Sequence, residues 1–505
     1  MMHRNLSLAG PPATSAARRP GLALLSISGC TLLVVGLVAA VNLAVPMLSA
    51  SSLHPGASAL LWIVDAYVVV FACLVIPGGA AGDRYGRKGA LIAGLLAVAA
   101  GAIVCAAAPS VAVLLTGRIL TGVGAALVLP NCVGVLVHAT PPERRGRALA
   151  VWGTVSGLGG PVGNLGGGAI LTGGSWRTLF WVVVPIAVSC AAWAGYAVPR
   201  SDRRTRPLDP AGSLLFAATV VALLTGVVEG PERGWASPVV LVAFALSVVL
   251  GAAWTGVGLR SVHPLLDPRL FGIPALSGAA LGMMVTFFGS FGLFFLNASL
   301  LQYGRGWSVL QAGLGTLPLA VPLLIGSRLV PRLVRRAGIP LTLTAAFLTI
   351  SAGLAGLSGA VRAPFLPYAI WSGVIGTGFA LALPTLTADL TAALPAEQAG
   401  VAGGLQSATR ELGSALGVAV VGTVLTSAFT AHLPAVLRQG EPVPRTVAAA
   451  LAAAPAEHAA IVASFVAGAQ LALRVAAVVT VVAGALVTTT AVTLRRRSAR
   501  QQPRR

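Results

Sequence analysis

An all-α integral membrane protein of fourteen transmembrane spans, both termini cytoplasmic, is the fold this sequence predicts. Three observations carry the prediction. Only 9% of the 505 residues are charged and 56% are hydrophobic. A soluble globular chain carries about 25% charged residues, so lipid must be the main solvent here. Apolar stretches long enough to cross a hydrocarbon core of ~30 Å recur along the whole chain. The basic residues also alternate: 25 of the 34 fall in every second connecting segment, seven in the opposite set, and Arg118 and Arg410 inside spans. The positive-inside rule then places both termini in the cytoplasm.

The elements follow in order. A tail at 1–23 carries Arg4, Arg18 and Arg19 and leads into an apolar run at 21–50. That run is about twice the apolar core of a cleaved signal peptide, so it reads as span one, at 24–48. Spans two and three, 58–81 and 90–108, flank a loop reading Gly82-Asp83-Arg84-Tyr85-Gly86-Arg87-Lys88-Gly89. Its Asp can accept hydrogen bonds from Arg or backbone N–H groups, and its glycines permit a sharp turn. So polar a loop between two lipid-grade helices points to a transporter and not to an anchor. Spans four to six are expected at 111–137, 148–170 and 178–198. Span five is rich in glycine at four-residue spacing, including Gly160, Gly163, Gly167 and Gly168, which suits close helix contact. No Lys-Ser or Lys-Thr follows these glycines, so they form no phosphate loop, and an ATP-driven pump is disfavoured.

A polar linker at 199–210 separates these from spans at 211–229 and 237–259. Six more are expected at 275–300, 309–327, 340–359, 365–389, 400–430 and 468–492, before a basic tail at 493–505. The Ala- and Pro-rich segment 431–467 reads as external, with no function legible in it. A weak repeat is visible: Gly326-Ser327-Arg328 echoes Gly82-Asp83-Arg84, without the Asp.

A net charge of +21 would suggest nucleic acid in a soluble protein, but here the charge sits in short loops and reads as topology. The five cysteines lie in apolar spans without CxxC spacing, which predicts free buried thiols and no metal site. No nucleophile–base pair is visible, so no enzyme and no cofactor is expected. Arg and Ala bias suggests a bacterial, GC-rich source.

The loop 82–89 resembles the signature loop between the second and third helices of the major facilitator superfamily. Fourteen spans resemble its drug:proton antiporter branch, as do Trp62-Ile63-Val64-Asp65-Ala66-Tyr67, Arg118 through Ala126, Gln302-Tyr303 and Arg410-Glu411-Leu412-Gly413. The resemblance implies two six-helix halves, 24–198 and 275–492, with two inserted spans at 211–259. It implies that the loop joins the halves at the cytoplasmic side, with Asp83 as acceptor and Arg84, Arg87 and Lys88 as neighbours. Two departures stand out. The branch begins span one with an acid and a Thr, where Leu37 and Ala39 stand here ahead of the matching Val41-Asn42-Leu43-Ala44-Val45-Pro46. The span-five Gly-Pro-x-x-Gly-Gly motif falls in register on Gly163 to Gly168, with Asn164 for Pro and Gly160-Pro161 three residues earlier.

Charged groups deep in a span cost about 2.5–3.5 kcal/mol on insertion scales and normally face a cavity and a partner. Asp65, Arg118 and Asn42 all fall roughly 10 Å below the outer surface by helical rise. We expect Asp65 to pair with Arg118, with Asn42 hydrogen-bonding alongside, as the proton-coupling group. Glu411 is a second candidate for proton or cation binding. As its neighbour Arg410 points about 100° away, each is expected to find a partner elsewhere. Phe291, Phe295 and Asn297 on span nine suit the wall of a cavity for lipophilic solutes. The expected activity is proton-coupled export of lipophilic drugs or antibiotics across the cytoplasmic membrane by a monomer. Export of an endogenous metabolite and a non-transporting sensor remain open alternatives.

Overall fold

The computed structural model describes residues 20–199, 209–262, 264, 267–393, 399–439 and 443–501. The basic residues of the N-terminal tail, most of the 199–210 linker and the chain end at 502–505 lie outside them. The described residues form sixteen α-helices and no strand. These are α1 (Pro20–Ser49), α2 (Ala57–Tyr85), α3 (Arg87–Ala106), α4 (Val111–Ala139), α5 (Pro142–Thr172), α6 (Trp176–Ala197), α7 (Pro210–Arg233) and α8 (Pro238–Arg260). They continue as α9 (Pro274–Ser299), α10 (Val309–Gly315), α11 (Leu317–Ala360), α12 (Phe365–Ala392), α13 (Ala399–His432), α14 (Ala435–Arg438), α15 (Val447–Ala453) and α16 (His458–Gln501).

Among the described residues, twelve helices are long and apolar enough to cross a membrane. Two expected spans are absent from that set although both are helical. Glycine dilutes the apolarity of α5, and the other is the segment that begins at Val309, where Thr316 stands between α10 and α11.

Three boundaries differ from the sequence expectation. The loop 82–89 is almost wholly helical, because α2 runs to Tyr85 and α3 starts at Arg87. Gly86 alone breaks the path, at φ 106° and ψ 123°, a conformation that L side chains avoid. The same device recurs in α11, where Gly338 at φ 79° and ψ 163° divides one continuous helical run into two arms. A positive-φ glycine thus follows each of the echoed segments, Gly86 after Gly82 and Gly338 after Gly326. Finally, α16 starts ten residues before the expected span, since Ile461 and Phe465 are buried and Ser464 donates to the His432 carbonyl.

Helices α1–α6 pack mainly on one another, as do α9–α13 with α16. Glycine sets the spacing within each bundle. A Cβ on Gly78 would overlap the Ala126 backbone, and one on Gly163 would overlap the Gly36 backbone. Helices α7 and α8 form a hairpin whose α7 leans on both α2 and α13, where Thr423 donates to the Val227 carbonyl at 3.1 Å. Most of α8 faces outward, as bilayer-covered helices do.

Candidate functional site

The joint at Gly86 carries the charged cluster. Arg87 donates to Asp83 at 2.7 Å, four residues back across the joint, and its guanidinium packs where a Cβ on Gly134 of α4 would sit. Lys88 donates to the Gly195 carbonyl of α6 at 2.6 Å, and Arg84 lies over the Tyr85 ring. These contacts stay within α2–α6. Asn131, which the sequence did not single out, fastens the same corner by donating to the Gly78 and Leu127 carbonyls at 3.1 and 2.7 Å.

Deeper in the bundle, Asp65 and Arg118 are both fully buried, but the expected ion pair is not formed. Arg118 donates from Nε to the Ile63 carbonyl at 2.8 Å and from a terminal nitrogen to the Val64 carbonyl at 3.3 Å. Its guanidinium lies 4.8 Å from the Tyr67 ring centre. Tyr67 in turn donates to the Val34 carbonyl of α1 at 3.0 Å. The reason is geometric. Asp65 follows Ile63 by two residues, about 200° around the helix, so it leaves the side on which Arg118 arrives. It shares a face with Leu61, one turn away, whose side chain meets Gly422 of α13. Both Asp65 carboxyl oxygens lack a hydrogen-bond partner among the described residues. The expected bond from Asn42 is also absent: both its amide atoms are buried and unpartnered.

The second charged pair departs from expectation in the opposite sense. Arg410 donates to its neighbour Glu411 at 2.6 Å. The two stems diverge from the helix, but both are long enough to curl back and meet. The Arg410 guanidinium also lies 6.0 Å from the Phe71 ring centre on α2 and 5.8 Å from that of Phe287 on α9. Tyr67 is within electrostatic reach of Arg118, Arg410 and Glu411. The two charged sets, which sequence treats separately, therefore flank one pair of aromatic residues, Tyr67 and Phe71, whose rings are 6.4 Å apart. Sequence gave one signal for these two: aromatics at positions i+2 and i+6 from a buried acid on one helix.

On α9, Phe291 is half-buried within an aromatic group: Phe287 at 5.8 Å, Phe294 at 5.6 Å, and Phe379 of α12 at 5.2 Å from Phe287. Phe295 is buried in the core. Asn297 is buried with its carbonyl oxygen unpartnered.

The glycine-rich α5 has two working faces. Gly159, Gly163 and Gly167 meet Val35, Gly36 and Ala40 of α1. Gly160, beside Pro161, faces Phe294, while Gly168 meets Val309 and Leu310 of the other bundle. Asn164, standing where the motif has Pro, donates to Thr316 at 3.1 Å across the same seam. More bonds cross between the bundles at this end. Gln302 donates to the Leu43 carbonyl at 3.1 Å, Tyr303 to the Pro46 carbonyl at 3.2 Å, and Ser49 and Tyr303 hydroxyls meet at 3.0 Å. All of these lie toward the face where α1 and α9 end.

The architecture resembles solved transporters. It matches a bacterial homologue of the human lysosomal transporter Spinster, in an inward-facing occupied conformation, with a TM-score of 0.67. That match covers 93% of this chain and 96% of the other at 17% identity, so it speaks to fold alone. In sequence, the chain is 32% identical to the multidrug resistance protein Stp of Mycobacterium tuberculosis, over 80% of this chain and 75% of that protein. It is 33% identical to the methylenomycin A resistance protein of Streptomyces coelicolor, over 74% of this chain and 80% of that one. Residues 27–418 match the model of the Major Facilitator Superfamily. With the paired helical bundles, this shows that the chain belongs to the major facilitator superfamily, as a multi-pass transporter of the bacterial cell membrane.

Proposed function

We propose that this transporter exports lipophilic drugs or antibiotics in exchange for protons, by alternating access between the two helical bundles. Asp65 is the observation that carries the coupling. It is fully buried in α2, one turn from Leu61, which meets Gly422 of α13, and neither carboxyl oxygen has a hydrogen-bond partner among the described residues. A carboxylate there has Arg118 within electrostatic reach but accepts no hydrogen bond, so the free energy of the packed helices depends on whether Asp65 holds a proton. Glu411, ion-paired with its neighbour Arg410 on α13, is the second group whose protonation would alter the contact. The names of the relatives, multidrug resistance and methylenomycin A resistance, support the cargo class.

The same reading places α1–α6 and α9–α16 as the moving halves, with α7–α8 inserted, and counts α5 and the α10–α11 arm as spans, for fourteen in all. The distribution of basic residues supports cytoplasmic termini. The bonded seam at the α1 and α9 ends is then the external gate, closed here, and Asp83 and its neighbours sit at the cytoplasmic side. The chain works as a monomer in this scheme. An inside-negative potential supplies ~2.3 kcal/mol per charge per 100 mV, so no nucleotide is required.

Everted vesicles with an imposed pH gradient test the reading. Antibiotic or dye accumulation should collapse with an uncoupler, and Asp65→Asn should abolish its pH dependence at normal expression. Unchanged proton-driven transport in Asp65→Asn would remove the acid from the mechanism.

A further inference from the structure

Arg410 stands between the two bundles, held by aromatic faces from both: Phe71 on α2 and Phe287 on α9. Only its Nε is engaged, by Glu411 at 2.6 Å. Its terminal amino groups make no hydrogen bond to any described residue. The Arg410 side chain keeps 23% of its surface accessible and Glu411 only 7%. The group turned toward open space is thus the cation, and its balancing carboxylate lies behind it. Phe291 is half-buried beside Phe287, and Phe294, also half-buried, lies beyond it against Phe291, so partly accessible rings lead away from the ring that holds the guanidinium.

We propose that this slot selects amphiphilic aromatic anions: planar ring systems that carry a carboxylate or an acidic enol. The proposal rests on the exporter reading and names its cargo. The two free terminal nitrogens of a guanidinium match the two oxygens of a carboxylate. Phe71 and Phe287 hold the guanidinium in place by cation–π contact, and Phe291 and Phe294 receive the ring system by offset or edge contact. Glu411 neutralises the empty slot, so the chain keeps an arginine in a low-dielectric seam without an unpaired charge. A lipophilic cation meets like charge first, and can reach Glu411 only by displacing Arg410. An inside-negative potential also expels an anion outward. Because the flanking rings come from both bundles, occupancy of the slot is felt by both.

Equilibrium binding to the full chain in lipid nanodiscs, without a pH gradient, tests this with pyrenebutyrate, its methyl ester and ethidium as probes. The acid should bind at least about tenfold more tightly than the ester, the scale of a charge-assisted hydrogen-bonded pair. Arg410→Gln should bring the acid-to-ester affinity ratio close to one, and Arg410→Lys should retain part of the preference. An equal acid-to-ester ratio in the parent and Arg410→Gln would overturn the proposal. So would ethidium binding more tightly than the acid and being lost in Glu411→Gln. Acid selectivity in a protein that moves no solute in vesicles would sink the exporter reading and leave the slot standing. Gradient-driven ethidium transport without acid selectivity would do the reverse.

Discussion

Arg118 heads the largest fully buried side chains of this protein, yet its partners are two carbonyls and a ring, with no acid among them. Backbone carbonyls have a second lone pair to give, so α2 takes two of the guanidinium nitrogens without contributing a charge, while the other terminal nitrogen has no partner among the described residues. This explains what the sequence could and could not show. It placed Asp65, Arg118, Arg410 and Glu411 as deep charged groups, because hydropathy marks them plainly. Their pairing was not legible, since a carbonyl acceptor has no residue identity and a curled side chain defies the 100° rule. Tyr67 provides the test at this scale. Tyr67→Phe keeps the ring beneath Arg118 and loses the bond to Val34, so unfolding in detergent should register about 1 kcal/mol. Tyr67→Leu removes the ring as well and should cost measurably more, by roughly a further 0.5–2 kcal/mol. Equal losses in the two variants would show that the ring does not hold the guanidinium.

At the scale of helices, two glycines do what loops were expected to do. Gly86 and Gly338 each turn the chain through a positive-φ residue between continuous helical arms. A drop in hydropathy marked 82–89 as polar, and polarity was read as loop. Periodicity had no means of distinguishing a charged helix end from a turn. The cost of replacing these glycines is separable from sterics, because a Cβ at Gly86 would meet nothing within 4 Å. Gly86→Ala should therefore destabilise by about 1–3 kcal/mol through backbone strain alone. Gly89→Ala, equally open and with no positive φ, should change little. Thermal melts of the two variants decide it. Gly163 presents the contrasting case: Gly163→Val is driven into Gly36 and should lose about 1–3 kcal/mol by overpacking.

At the scale of the whole molecule, a group of bonds between the bundles lies together at one end. Asn164, Thr316, Gln302, Tyr303 and Ser49 were present in the sequence, but only folding aligned them on one seam. Asn164 shows why a motif departure can be misjudged. Where a Pro was expected, an amide supplies a hydrogen bond across the seam. A disulfide tests the gate. A Cβ on Gly168 would lie 3.1 Å from the Leu310 Cα, so Gly168→Cys with Leu310→Cys should cross-link. Oxidation should stop transport in everted vesicles, and reductant should restore it. Full transport by the oxidised pair would show that this end does not open.

The hairpin of α7 and α8 gives the assembly a handed relation to its lipid. On one flank α5 meets α10 directly, through glycines that can part and rejoin. On the other, α7 stands across α2 and α13 and touches both. A molecule dissolved in the surrounding leaflet thus finds one flank screened by a third body and the other closed only by contact between the bundles themselves. If solutes enter from the bilayer, this asymmetry assigns their entry to the α5–α10 flank, away from the cleft that α7 covers.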